Sequence, residues 1–164
     1  MLGYLGRTLP TVARAALGRD GRRISRISRR VRLGEIDTNL HMNQAVYAAV
    51  MELGRVDLAI RSGAWARWRA RQAWPVVAEQ RIVYRRELRL GAAYAVDSRA
   101  VAVEGRLLVL ESHLVVGAQV HARGEVKLIF VGRGGVLAPA EVEALCGEFV
   151  AAPLAVEGWR VVGA

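Results

Sequence analysis

One cysteine, one lysine, three histidines and an aromatic content of only 6% set the first limits on this chain of 164 residues. Cys146 has no partner for an internal disulfide, which fits a reducing compartment and leads to the expectation of a cytoplasmic protein. It falls near the end of an amphipathic stretch and reads as a small core residue rather than a nucleophile. Lys127 sits in Val126-Lys127-Leu128, far from the Gly-Lys-Ser/Thr of a phosphate-binding loop. No serine occupies a Gly-x-Ser-x-Gly elbow, and Gly132-Arg133-Gly134-Gly135 comes late and lacks the dinucleotide fingerprint. His41, His113 and His121 with one cysteine do not give metal-ligand spacing, so neither metal nor cofactor is expected. No uncharged run approaches the ~18 apolar residues that a membrane span needs. The longest, Thr38 to Met51, contains Asn39, His41, Asn43 and Gln44. Arg7 and Arg14 interrupt the apolar beginning of the chain, which therefore does not read as a secretory signal.

What is present is a chain 53% hydrophobic and 24% charged, too apolar for disorder and of a length for one domain with a real core. Its formal charge is +9, and the distribution matters more than the sum. Residues 1–34 carry nine arginines against one acid, Asp20, so the surplus lies on an arm and the remainder is nearly neutral. Nucleic-acid binding is disfavoured, because the arm has only Tyr4 to interleave with its cations. Leu2, Leu5, Leu9, Val12, Ala13 and Ala16 recur at helical spacing, with Pro10 expected to limit that helix or start a new one. Residues 1–28 thus read as a basic amphipathic arm and 29–164 as the domain proper. The arm is expected to dock on its own domain or on a partner subunit, with peripheral contact at a membrane as the alternative.

Within the domain, the alternation from Arg29 to Leu33 predicts a strand. Ala45, Val46, Ala49, Val50, Leu53, Val56, Leu58 and Ile60 predict a long helix, capped by Asn43 and stopped by Gly63. Trp65 to Trp74 reads as an irregular connection. From Val76 to Val131 the alternation predicts four strands, split at Gly91, Glu104-Gly105 and Gly117, and Pro139 opens a short helix through Cys146. One long apolar helix followed by a run of antiparallel strands predicts an α+β fold in which a curved sheet embraces the helix.

The polar groups concentrate in Glu35-Ile-Asp37-Thr-Asn39-Leu-His41-Met-Asn43-Gln-Ala-Val-Tyr47, which feeds into that helix, with Glu52 further along. The start of a helix presents unpaired N–H groups and the positive end of its dipole, suited to a developing oxyanion. A carboxylate just before it is placed to act as base or nucleophile on an acyl carbon. Taken singly, each residue has a structural reading as well: Asp37 closes a turn, Asn43 caps, His41 packs in the loop and Glu52 pairs with Arg55.

Together these residues resemble the hotdog-fold acyl-CoA thioesterases of the 4-hydroxybenzoyl-CoA thioesterase-like superfamily, whose signature runs Asp-x-x-Gly-His-x-Asn-Asn-x-x-Tyr, then an acid and an Arg. Asp37, His41, Asn43, Tyr47, Glu52 and Arg55 fall in register, while Leu40 stands for the Gly and Gln44 for the second Asn. Asp57-Leu58 with Arg61-Ser62-Gly63, Trp74-Pro75-Val76-Val77-Ala78 and Tyr84-Arg85-Arg86-Glu87-Leu88 add to the likeness, which spans about residues 29 to 140. The resemblance implies a hotdog fold, a homo-oligomer (dimer or tetramer) joined sheet edge to sheet edge, and active sites at the subunit interface. It implies hydrolysis of an acyl-CoA or acyl-carrier-protein thioester, with Asp37 as the reacting carboxylate, backbone N–H groups at Asn43 and Gln44 for the oxyanion, and His41 and the Asn43 side chain shaping the loop. Glu52 is the second acid, and Leu40 and Tyr47 border the substrate. Asp37-Thr-Asn39-Leu-His41 is also similar to the hydratase motif Asp-x-Asn-Pro-x-His, one residue shorter and without the Pro, so hydration or dehydration of an acyl thioester is one alternative. A non-catalytic acyl-CoA-binding or membrane-associated module is the other.

Overall fold

Four successive segments rich in β-branched and apolar residues form four long antiparallel strands, and the longest helix before them is what they wrap. The computed structural model describes residues 2–18 and 20–152, with side chains from Thr8 onward. In chain order the elements are α1 (Leu2–Leu17), β1 (Ile24–Arg30), α2 (Gln44–Arg61), α3 (Ala64–Ala70), β2 (Trp74–Tyr84), β3 (Ala93–Glu104), β4 (Leu107–Val116), β5 (Gln119–Gly132), β6 (Gly135–Val136) and α4 (Pro139–Cys146). The strands form one antiparallel sheet in the order β1-β3-β4-β5-β2, with β6 on β5. Curled around α2, this is the α+β hotdog arrangement. Gly91, Gly105 and Gly117, the expected strand breaks, all hold positive φ, which only glycine adopts freely.

The helix approaches the sheet closely. A Cβ at Gly54 would collide with Ser98 Oγ, and one at Gly124 with Met51 Sδ, so glycine on each partner lets α2 sit down on β3 and β5. On one side of this contact the first half of α2, through Val46, Tyr47, Val50 and Met51, meets Val96, Leu114 and Ala122. Past Gly54, Leu58 and Ala59 join Trp68, Leu108, Leu110, Phe130 and the α4 residues Val142, Leu145 and Cys146. Cys146 is a core residue, its thiol pushed up to about 12 by burial. Such a thiol stays protonated and inert.

Three elements differ from the sequence expectation. Strand β1 starts at Ile24 and stops at Arg30, so only Arg29 and Arg30 of the expected segment lie in it. Ser25 and Ile27 point inward while Ile24, Arg26, Ser28 and Arg30 face outward, and pairing with Ala93–Arg99 of β3 decides the extent. The Trp65–Trp74 segment is not irregular: α3 forms there, with Ala64 and Trp68 one turn apart and buried. Helix α1 runs through Pro10 unbroken and docks on α2, but not by the expected stripe. Thr11 and Ala15 are buried, Thr8 and Val12 half-buried, whereas Leu9, Ala13 and Ala16 face outward. The side chains of Leu2, Leu5 and Arg7 lie outside the described residues. Among the described residues no helix is long and apolar enough to cross a membrane.

The sheet face turned away from α2 carries a buried charged cluster. Asp97, His113 and Arg123 are in register across β3, β4 and β5, beside Arg99 and Glu111. Arg123 donates to Glu111, whose other oxygen lies 4.0 Å from His113 Nε2. His113 is 2% exposed, and burial lowers its pKa to about 4, with Glu111 opposing and Arg123, Arg99 and Arg85 assisting. The unfolded chain binds a proton at its ordinary value near 6.5 while the folded chain does not until near 4. Stability is therefore independent of this group above pH 6.5 and falls by about 1.4 kcal/mol per pH unit between those two values. Urea titrations across that range should show this slope, and His113→Gln should remove it; an unchanged slope in the variant assigns the acid sensitivity elsewhere.

Candidate functional site

The loop before α2 is a small hairpin. Ile36 bridges Met42, the Asp37 N–H donates to the His41 carbonyl (2.9 Å), and the Leu40 N–H returns to the Asp37 carbonyl (3.0 Å). Asp37 Oδ1 accepts from the Asn39 N–H at 2.9 Å, closing an Asx turn. A turn of this kind ends on a left-handed residue, here Leu40 at φ 63° with its side chain 69% exposed. The position where the family carries Gly is thus one that needs positive φ, and Leu40 points to solvent rather than into the cleft described below. The hairpin is tied to the body by Met42 N–H on the Leu88 carbonyl (2.7 Å), a His41–Arg89 bridge, and Asn43 N–H on the carbonyl of buried Glu35 (2.8 Å).

These ties fix the entry to α2. Asn43 Oδ1 accepts from Ala45 N–H at 2.9 Å, as its N-cap role requires, and its carbonyl takes the Val46 N–H. Of the two amides expected to meet an oxyanion, that of Asn43 is spent on Glu35. The Gln44 N–H, the next one, belongs to an exposed residue that lines the cleft. It stands at the positive end of an 18-residue helix, where a negative oxygen is stabilised.

The cleft, about 390 Å³, is lined by Asp37, His41, Met42, Gln44 and Tyr47 on one wall and by Tyr84, Arg85, Arg86 and Glu87 on the other. Asp37 is half-buried there. His41 Nε2 lies 2.7 Å from Glu87 Oε2, which fixes the imidazole, and Glu87 is shared with Arg89. Tyr47 is edge-on to Tyr84, ring centroids 5.1 Å apart. Burial pushes its hydroxyl up to about 12 against a backbone hydrogen bond with Leu88, so it stays a neutral phenol. Arg86, exposed, puts positive charge on the open side, and Arg85 beside it is half-buried.

Asp37, His41, Gln44 and Tyr47 are therefore brought together, with Asn43 behind them as a structural cap. Glu52 is not in this cleft; it lines a second cavity together with Arg55. The Tyr84–Glu87 wall was missed as a site by sequence reasoning. It comes from the end of β2 and the loop after it, and its only signal was the Tyr84-Arg85-Arg86-Glu87-Leu88 run that contributed to the resemblance.

The architecture recurs in solved structures. A probable thioesterase from Escherichia coli, YbaW, superposes with a TM-score of 0.71 at 22% identity, covering 77% of this chain and 99% of that one. A DHNA-CoA thioesterase from Staphylococcus aureus gives 0.62 at 14% identity, over 77% and 85%. The S. aureus hypothetical protein SAV2348, solved in complex with CoA, gives 0.64 at 16% identity, over 83% and 90%. No curated protein sequence matches the chain. The sequence model of one family matches residues 31–153, from the end of β1 past α4 and across the whole cleft. On that match the chain belongs to the thioesterase-like superfamily.

Proposed function

We propose that the protein hydrolyses the thioester of an acyl-CoA or acyl-carrier protein to a free acid and a thiol. The observation that carries this reading is the placement of the Asp37 carboxylate and the Gln44 amide, at the start of α2, on one cleft. With the thioester carbonyl at the Gln44 N–H, Asp37 takes a proton from water as hydroxide attacks the acyl carbon. The C–S bond then breaks and the leaving sulfur takes a proton. Direct attack by Asp37 through an anhydride is the other route open to the same carboxylate. His41, held by Glu87, and Tyr47, a neutral hydroxyl, shape the wall, while Arg85 and Arg86 suit the phosphates of CoA.

The active form in this reading is a cytoplasmic homodimer. Strand β2 ends the sheet, is 11 residues long, and exposes Trp74, Val76, Val77 and Tyr84. The edge is apolar towards both ends and polar at Glu79, Gln80 and Arg81 between them, and a long open edge is a template for pairing with a second copy. Leu9, Ala13, Ala16 and Leu17 on the outward side of α1 suit the proposal that the arm also touches an anionic membrane surface.

A thiol-release assay over a panel of acyl-CoAs and acyl-carrier proteins tests the reaction. Stoichiometric free thiol with at least one acyl group supports it. Release no faster than in buffer for every thioester, or loss of the enoyl absorbance of crotonyl-CoA with no thiol appearing, overturns it.

A further inference from the structure

The second cavity has no role in the chemistry described so far. It is a half-open pocket of about 370 Å³ between α1, α2, α3 and β2. Its lining is almost wholly apolar: Val56, Ala59 and Ile60 of α2, Trp65 and Trp68 of α3, Pro75 and Val77 of β2, with Leu110 and Leu128 as the floor. Glu52 and Arg55 supply the polar end. The roof is Thr8 and Val12 of α1, a helix that lies outside the matched 31–153 segment.

Three observations choose its occupant. The walls offer shape and dispersion and little hydrogen bonding, which selects an aliphatic chain over a polar group. Its volume, at roughly 30 Å³ for a group of water's size, holds on the order of ten carbon atoms. The third is position. The cleft lies where Gln44 and Tyr47 meet Tyr84, and the cavity where Val56–Ile60 meet Pro75 and Val77, so the two occupy opposite ends of the same α2–β2 seam. Between them Met51 of α2 is fully buried against Gly124 of β5, the residue that pairs with Ile82 of β2. In the homodimer proposed above, antiparallel pairing of two β2 edges would set the Pro75–Val77 end of one protomer beside the Tyr84 end of the other.

We propose that α1, through Thr8 and Val12, sets the length of straight aliphatic chain accepted when this cavity takes the tail of an acyl thioester whose carbonyl sits in the cleft of the partner copy. The proposal rests on the hydrolytic reading for its readout in turnover, but not for its readout in binding. Helix α1 then acts as a specificity element laid over a catalytic fold. Of its inward residues, Thr8 and Val12 stand over the cavity and are half-buried, while Thr11 and Ala15 are buried in the packing on α2.

The test compares the full-length chain with Val12→Trp, which fills the cavity from its roof, Val12→Ala, which enlarges it, and Leu9→Trp, on the outward face of α1. Thiol release is measured with butyryl-, octanoyl-, lauroyl- and palmitoyl-CoA, and binding of the corresponding non-hydrolysable S-alkyl-CoA thioethers by calorimetry. In the parent, affinity should rise about fourfold per methylene until the cavity is full. Val12→Trp should move that break to shorter chains, costing the lauroyl compounds on the order of tenfold while butyryl-CoA is unaffected. Val12→Ala should move it to longer chains, and Leu9→Trp should leave it where it was. Circular dichroism checks the fold of each variant, and the Ala variant keeps the test decisive where the Trp variant does not fold. A break in thioether binding that follows the Val12 variants, with no thioester cleaved, supports the cavity and overturns hydrolysis. Cleavage whose chain-length profile ignores both Val12 variants overturns the cavity and leaves hydrolysis standing.

Discussion

Asp37→Asn lowers kcat for thioester cleavage by at least ~100-fold and leaves the fold as it is. The substitution is nearly isosteric, and the amide oxygen still accepts the 2.9 Å bond from the Asn39 N–H that closes the turn. The hairpin, the Asn43 cap and the position of Gln44 are therefore retained, and what is lost is the negative oxygen facing the cleft. An amide neither takes a proton from water nor attacks an acyl carbon, so the loss falls on kcat, with KM changed little because the cleft walls and the arginine rim are untouched. Steady-state thiol release, beside a thermal melt matching the parent, reads this directly. A folded variant that turns over at nearly the parent rate makes Asp37 a turn residue only and moves the search to the remaining acids, Glu87 in the same cleft and Glu52 in the second cavity.

How much of this was legible in the sequence depended on how local the cause was. The strands β2 to β5 were, because runs rich in β-branched and apolar residues are bounded by glycines, and Gly91, Gly105 and Gly117 stand at the turns between them. So was the N-cap, since Asn43 bonds to an amide two residues away. Strand β1 was misplaced because its arginine-rich face resembles an arm until β3 pairs with it. The orientation of α1 was hidden for a related reason. The larger side chains form the visible stripe, but where α1 closes on α2 the small ones fit, so Thr11 and Ala15 turn in and Leu9 stays out. At the site, the loop wall was readable as a motif, whereas Tyr84–Glu87 reach it only through the sheet order that sets the end of β2 against the start of α2. The Glu87–His41 pair joins residues 46 positions apart, which no local pattern announces.

The same blindness covered the residue whose loss should cost the fold most. Asp57 stands one turn before the end of α2, among Val56, Leu58 and Ala59, and is completely buried. Its carboxylate accepts from Ser25 Oγ of β1 at 2.6 Å, from Arg61 Nε one turn on at 3.0 Å, and from Arg14 of α1 at 3.4 Å. Three elements distant in sequence thus meet on one charge. Removing it leaves the Ser25 hydroxyl, itself buried, without its acceptor and the largely buried Arg61 guanidinium without its main counter-charge. Breaking a buried ion pair from one side costs about 3–5 kcal/mol, and Asp57→Ala should lie at the lower end, because Arg61 keeps the Gly18 carbonyl at 2.8 Å and Asp20 at 3.8 Å. Arg14→Ala should cost less than about 1 kcal/mol, its side chain being half-exposed and its pair screened by water. Urea unfolding of the two single variants and the double variant separates these contributions. In Asp57→Ala, limited proteolysis should also cut between α1 and β1 sooner than in the parent, since the link from α1 to the body has lost its anchor. A loss below ~1 kcal/mol for Asp57→Ala would mean that apolar packing of Thr11, Val12 and Ala15 alone holds α1 against α2, and that the buried charge is tolerated there rather than required.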